Sequence, residues 1–277
     1  MGSEAPRNLQ ELSAAPVDIV SGRRRDIVSR LDRMLARLVP ATRKPLQLTA
    51  PLVSFTFDDV PDSAAVNGAA ILERHGVLGT FYISGGLAGR RYEPWTFATP
   101  AALRPVVEAG HEIGCHTYSH PDMQQTSWAQ IQSELARNFR FLAEHLEITP
   151  RNFAYPYGSV GLFQKYRMAF RFDSCRGVYE GVNAGHLDLG QLRAVRLYDD
   201  LLGAEGVARW LDEAASKQGW LIFYTHDVAD PPSDQGTSLC LLDDAIRQSL
   251  ARGYQIVTVA EALRIANARS SRNEPTP

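Results

Sequence analysis

From Pro51 onward, short apolar runs alternate with longer amphipathic ones. Leu52–Phe57, Thr80–Ser84, Glu112–Cys115, Phe153–Tyr155, Trp220–Thr225 and Gln255–Thr258 are too short for helices and predict strands; a seventh strand is expected near Arg171–Cys175. Helical stretches separate them. The run from Ala64 to His75 ends at Gly76, and that from Ala101 to Ala109 ends at Gly110, each glycine marking a helix stop. The longest predicted helix opens at Ser127 with Gln130 three residues on, a capping-box pattern. It carries Ile131, Leu135, Phe139, Leu142 and Leu146 along one stripe. Leu239–Ala251 and Ala260–Ala266 predict the last two helices. Alternation of strands and helices at this spacing indicates a parallel α/β fold, closed as a barrel or open as a sheet.

Residues 1–50 follow another pattern and are read as an extension preceding a domain over 51–268. After Arg23-Arg24-Arg25, the residues Ile27, Leu31, Met34, Leu35 and Leu38 recur at helical spacing, with Arg30, Arg33 and Arg37 between them. The favoured expectation is that this basic amphipathic helix caps the open end of the barrel with its apolar stripe. The alternative is peripheral contact of the Arg23–Arg37 helix with an anionic membrane surface or a partner. The tail 269–277, rich in Ser, Arg, Asn and Pro, is expected to be disordered.

Composition narrows the setting. A chain of 277 residues can bury a proper core. Its net charge of −2 gives no sign of a nucleic-acid partner. No apolar run approaches the roughly 18–20 residues that cross a bilayer. Met1–Val20 interleaves Glu4, Arg7, Glu11 and Asp18 with its apolar residues, unlike a secretory signal, so a cytoplasmic location is expected. Cys115, Cys175 and Cys240 are odd in number and widely spaced, which suits buried, reduced thiols better than a disulfide framework.

The chemistry concentrates at predicted strand ends. Ser54-Phe55-Thr56-Phe57 runs into Asp58-Asp59, two adjacent carboxylates whose repulsion a cation would relieve, leaving the other free as a base. Gly110-His111-Glu112-Ile113-Gly114-Cys115 leads into His116 and, four residues on, His120. A helical turn after His116 would bring both rings to one side, as two metal ligands require. Strand alternation points Cys115 away from His116, and His111 is read as structural. Phe153-Ala154-Tyr155 breaks at Pro156-Tyr157-Gly158, a turn able to aim backbone N–H groups into a site. The apolar run Trp220–Thr225 ends in His226, a position for a general acid or base. Two histidines and a carboxylate form a common catalytic zinc set that leaves one coordination position open.

These residues resemble the NodB-like polysaccharide deacetylases, carbohydrate esterase family four. Thr56-Phe57-Asp58-Asp59 matches the family's first motif, His116-Thr117 with His120 its second, and Tyr224-Thr225-His226 resembles its fifth. The resemblance, over roughly Pro51 to Ala266, implies a distorted (β/α) barrel of about seven strands. It further implies a hydrolase acting on carbon–nitrogen bonds other than peptide bonds. Such an enzyme removes N-acetyl or O-acetyl groups from an acetylated polysaccharide or oligosaccharide. By resemblance Asp58 is the catalytic base, Asp59, His116 and His120 hold a divalent metal, and His226 is the general acid. Zn2+ is the expected ion, with Co2+, Mn2+ and Ni2+ as alternatives. The backbone N–H of Tyr157 is assigned to the oxyanion.

The chain departs from the family at three points. Ala154 stands where the third motif has an Arg that touches the base, as in a branch reading Phe-Ala-Tyr-Pro-Tyr-Gly, and Arg176 and Arg196 are the candidates to supply that charge. The fourth motif's Asp and Trp, which orient the histidine acid, have only Asp173 as a candidate. Tyr224 replaces the Leu that lines the acetyl pocket. Two further readings stand beside the first: a deacylase or deformylase of a lipid-linked sugar or small amide, and an inactive carbohydrate-binding module.

Overall fold

The computed structural model describes residues 19–270, with side-chain surroundings for 27–268. In chain order the strands are β1 (Arg43–Pro45), β2 (Leu52–Asp58), β3 (Thr80–Ile83), β4 (Arg91–Tyr92), β5 (Trp95–Thr96), β6 (Glu112–Cys115), β7 (Asn152–Ala154), β8 (Ser174–Arg176), β9 (His186–Asp188), β10 (Val195–Arg196), β11 (Trp220–Thr225) and β12 (Gln255–Ile256). The α-helices are α1 (Ile19–Leu38), α2 (Ala69–Arg74), α3 (Pro100–Glu108), α4 (Trp128–Leu146), α5 (Leu162–Ala169), α6 (Gly203–Ser216), α7 (Leu239–Ala251) and α8 (Val259–Ser270).

Seven parallel strands, in the order β10-β11-β2-β3-β6-β7-β8, curl into a half-barrel. This is the distorted (β/α) barrel that the sequence led us to expect. All seven residues of β2 are buried, as a parallel strand covered on both faces requires. β12 pairs with the first half of β2, on the edge whose second half β3 takes. Period-two alternation divides β11 between two cores. Leu221 and Phe223 join Phe55, Phe57 and Phe81 in one, whereas Trp220, Ile222 and Tyr224 join Leu52 and Leu263 in the other.

Local rules account for the helix ends. The Ser127 side chain accepts the Gln130 N–H and the Gln130 side chain accepts the Ser127 N–H, so the capping box at α4 forms as expected. Thr99 caps α3, with Pro100 at its first position. Gly76 and Gly110 follow α2 and α3 with φ of +66° and +90°, the left-handed geometry that glycine enters without a Cβ penalty. Ahead of α2, Ala64–Gly68 forms a π-helical turn rather than regular α-helix.

Three expectations need correcting. The strand β10 passed unnoticed because it has only two residues. The apolar stripe of α1 does not cap the barrel: Ile27, Leu31, Met34, Leu35 and Leu38 are exposed, Ile27 by 67% and Leu38 by 69%. Polar bonds on the opposite face decide which side docks. There Ala36 is buried, Asp32 accepts the Leu162 N–H at 3.0 Å, Arg33 donates to Gln124 at 2.6 Å, and buried Lys165 donates to the Ala36 and Val39 carbonyls. Downstream, β1 pairs with β9 and ties the chain before residue 51 to the domain. The third correction is that α8 runs through Ser270, two residues into the expected tail; residues 271–277 and most of Met1–Val20 lie outside the described residues. No described helix is long and apolar enough to cross a membrane.

Candidate active site

The strands deliver side chains one after another at their C-terminal ends, the face where parallel sheets build sites. β2 supplies Asp58 and then Asp59, β6 leads into His116, β7 into the Tyr155–Gly158 turn, β8 supplies Arg176, β10 leads to Tyr198 and β11 to His226. The backbone at this face is strained. Among the described residues seven non-glycine positions have positive φ, and five of them lie here: Asp59, Val60, Thr117, His120 and Tyr157. Each such conformation costs on the order of 1–3 kcal/mol and persists only where the surroundings enforce it. Val60 and Thr117, both β-branched, are the least suited of the five.

This strain shows how the histidine pair meets. The chain does not turn helical after His116, as the spacing suggested. It loops through left-handed Thr117 and left-handed His120 instead. α4 holds that loop, because its buried Glu134 accepts the Tyr118 and Ser119 N–H groups at 3.1 and 2.6 Å. One turn on, the Asn138 amide accepts from the Gly85 N–H at 2.8 Å and donates to the Ile83 carbonyl at 2.9 Å. The sequence offered a signal for both, polar residues flanking an apolar stripe, but nothing pointed to the loops they bind.

Asp59, His116 and His120 are buried, and their nearest ligand atoms lie within 4.8 Å of one another. Asp59 Oδ1 is 3.8 Å from His116 Nε2 and 3.6 Å from His120 Nε2. His116 Nδ1 lies 2.8 Å from the Ala154 carbonyl, which can only accept, so Nδ1 carries the proton and the Nε2 lone pair faces Asp59. Burial holds both imidazoles neutral, His116 at about 4 and His120 at about 3, the state in which histidine binds a metal. His120 Nδ1 is buried without a hydrogen-bond partner, and its ring meets that of Tyr157 edge-on at 4.4 Å.

The two aspartates diverge. Burial would raise the Asp58 carboxyl, but Arg176 together with the neighbouring His116 and His226 outweighs it and holds the group below the usual carboxylate range. Asp59 has no such cation. Burial raises it, and the neighbouring His116 and His226 offset this only in part. Arg176 is fully buried and ion-paired to Asp58 through Nη2, so it fills the place left by Ala154. Arg196 does not: it pairs with Glu180 at 2.9 Å, half-exposed. Asp173 is also away from the site, forming a two-pronged surface pair with Arg151 at 2.6 and 3.0 Å.

His226 is gripped by residues the sequence did not single out. Trp95 of β5 stacks on its ring, with centroids 5.1 Å apart and planes 9° from parallel. The Trp95 indole N–H donates to Asp227 at 2.9 Å. His226 Nδ1 lies 3.2 Å from both the Tyr198 hydroxyl and the Gln235 carbonyl. Elsewhere, His111 is structural as expected, accepting the Gly79 N–H at 3.0 Å. Cys115 and Cys175 are buried thiols raised by burial to about 11 and about 12, whereas Cys240 is exposed, against expectation.

The polysaccharide deacetylase family model matches residues 47–166, which includes the Asp pair and the His pair and stops before Arg176 and His226. The chitin deacetylase of Colletotrichum lindemuthianum is 27% identical over 240 residues, covering 82% of this chain and 86% of its own. Its crystal structure superposes with a TM-score of 0.54 at 22% identity, covering 81% of this chain and 92% of the other. The peptidoglycan-N-acetylglucosamine deacetylase PgdA of Listeria monocytogenes is 26% identical over 137 residues, 49% of this chain; the match spans only 28% of that relative's length. A pseudoenzyme of the same family from Bacillus anthracis also shares the fold, with a TM-score of 0.51 at 19% identity over 79% of this chain and 68% of its own. Fold alone therefore does not separate active from silent members. In motifs, topology and relatives alike, this chain resembles the NodB-like polysaccharide deacetylases.

Proposed function

We propose that this chain is a metal-dependent deacetylase that hydrolyses N-acetyl groups on a polysaccharide or oligosaccharide and releases acetate. The observation that carries the reading is the convergence of Asp59, His116 and His120 beside Asp58, a second carboxylate kept ionised by Arg176. The donor set suits a divalent cation. Two neutral imidazoles present Nε2, one of them fixed by a carbonyl behind it, and a raised, unpaired carboxylate gains a counter-charge from the ion. Zinc fits this set best, with Co2+, Mn2+ and Ni2+ as alternatives. When bound, such an ion polarises the acetyl carbonyl and lowers the pKa of water toward about 7.

The protein's own groups complete the reaction. Asp58 takes the proton of the attacking water, and Arg176 keeps that carboxylate ionised and in place. The Tyr157 backbone N–H donates to the developing oxyanion from the left-handed turn beside His120. His226 protonates the departing amine, a role typically worth about 10²–10⁴-fold. Retention of this whole set argues against a silent carbohydrate-binding module. The test is acetate release from a panel of N-acetylated oligosaccharides. Release should stop with a chelator and return on adding zinc. A zinc-loaded protein that frees no acetate from any of them would count against the reading.

A second reading keeps the chemistry and places the substrate at a membrane, as a lipid-linked sugar. It is supported by α1, whose outward apolar stripe is bordered by exposed Arg30 and Arg37. The helix sequence carries six Arg against two Asp, so paired copies would repel where an anionic bilayer would attract. The protein should then sediment with anionic liposomes but not with zwitterionic ones, and Leu31→Glu should abolish the effect.

A further inference from the structure

The family resemblance assigns a carboxylate to orient the histidine acid, yet among the described residues no carboxylate oxygen is hydrogen-bonded to the His226 ring. Each nearby candidate is otherwise engaged. Asp227 accepts from the Trp95 indole at 2.9 Å and from the Ser233 N–H at 3.0 Å. Asp199 accepts the Ser238 N–H at 2.7 Å, and Asp173 faces Arg151 at the surface. What His226 Nδ1 meets instead is a carbonyl and a phenol, Gln235 O and Tyr198 Oη, each at 3.2 Å.

The carbonyl settles the tautomer. Gln235 O has no proton to give, so Nδ1 must carry one, and Nε2 is the nitrogen left to exchange a proton with the leaving group. The Tyr198 oxygen shares the Nδ1–H, and its ring meets that of Tyr224 edge-on, with centroids 5.7 Å apart. Both phenols are buried, and the Tyr224 ring lies beneath the Arg176 guanidinium, 4.9 Å from centroid to carbon. A continuous chain of contacts therefore joins Asp58 through Arg176, Tyr224 and Tyr198 to His226. Tyr224, where the family pattern has Leu, thus packs between the Arg176 guanidinium and the Tyr198 ring. With Trp95 stacked on the ring, the imidazole is fixed both in plane and in rotation.

We propose that Tyr198, backed by Tyr224, is the positioning residue of the acid His226, replacing the carboxylate that the family pattern assigns to that task. The inference rests on the deacetylase reading for the acid's role, but the tautomer it requires is measurable without turnover. Nitrogen NMR of the zinc-loaded protein with ring-labelled histidine should find neutral His226 protonated at Nδ1. An Nε2–H tautomer would overturn the proposal. Tyr198→Phe should then lower kcat on an N-acetylchitooligosaccharide with KM unchanged, and lower it at least about tenfold more than on para-nitrophenyl acetate, whose leaving group needs no proton. Equal losses on both substrates, or none on the acetamide, would assign Tyr198 to packing alone. Should the wild-type protein release no acetate at all, the deacetylase reading fails while the tautomer result still stands or falls by itself.

Discussion

Asp58 and Asp59 are adjacent, equally buried and near the same imidazoles, yet one carboxyl is held below its ordinary value and the other above it. One guanidinium makes the difference. Arg176 lies against Asp58 and not Asp59, so the first remains an anion at low proton cost while the second gains most from a bound cation. Arg176→Ala would leave a buried carboxylate without its partner, and we expect a loss of about 3–5 kcal/mol on chemical denaturation. The pH dependence has a definite sign. In the native protein the stabilisation from a depressed Asp58 is present above the unfolded carboxyl's value of about 4 and is lost as pH falls through the folded one. Without Arg176, burial is opposed only by the neighbouring His116 and His226, so the proposed base should be protonated at higher pH, and the acidic limb of the rate profile should move upward. An unmoved limb would show that Asp58 is not the group titrating there.

At the level of elements, the strands and the capping box were legible because each depends on local pattern: a buried run, an amphipathic stripe, a Ser–Gln pair. The His116–His120 spacing was legible as a pair but not as a geometry, since left-handed φ at Thr117 and His120 is enforced by distant Glu134 and adjoining strand ends rather than by those residues' own preferences. Tyr198 and Trp95 were missed for a related reason. Each follows or occupies a two-residue strand too short to register as a pattern. Close packing between strands gives an element-scale prediction. A Cβ on Gly114 of β6 would lie 2.3 Å from the Tyr82 ring of β3 and 3.2 Å from the Asn152 carbonyl. Gly114→Ala should therefore destabilise the protein by about 1–3 kcal/mol, read as a shift in the denaturation midpoint. A variant as stable as the parent would mean that the strand ends under the site are more loosely packed than described.

Over the whole molecule, the half-barrel makes the site by bringing β2 and β8 to one end, so that Asp58 meets Arg176 from 118 residues away. Such a meeting depends on strand order, which a single sequence does not display, and two arginines therefore stayed open until the fold distinguished them. The outward face of α1 was misread for a complementary reason. An apolar stripe marks a surface to be covered, and the covering surface is commonly the protein's own core; here the polar bonds of Asp32, Arg33 and Lys165 turn it the other way. The central claim is a division of labour between neighbouring carboxylates. It is tested most directly by calorimetric titration of the metal-free protein with zinc, comparing wild type, Asp58→Asn and Asp59→Asn. We expect wild type and Asp58→Asn to take up one ion per chain with similar affinity, and Asp59→Asn to bind far more weakly. Loss of binding in Asp58→Asn with retention in Asp59→Asn would contradict the account.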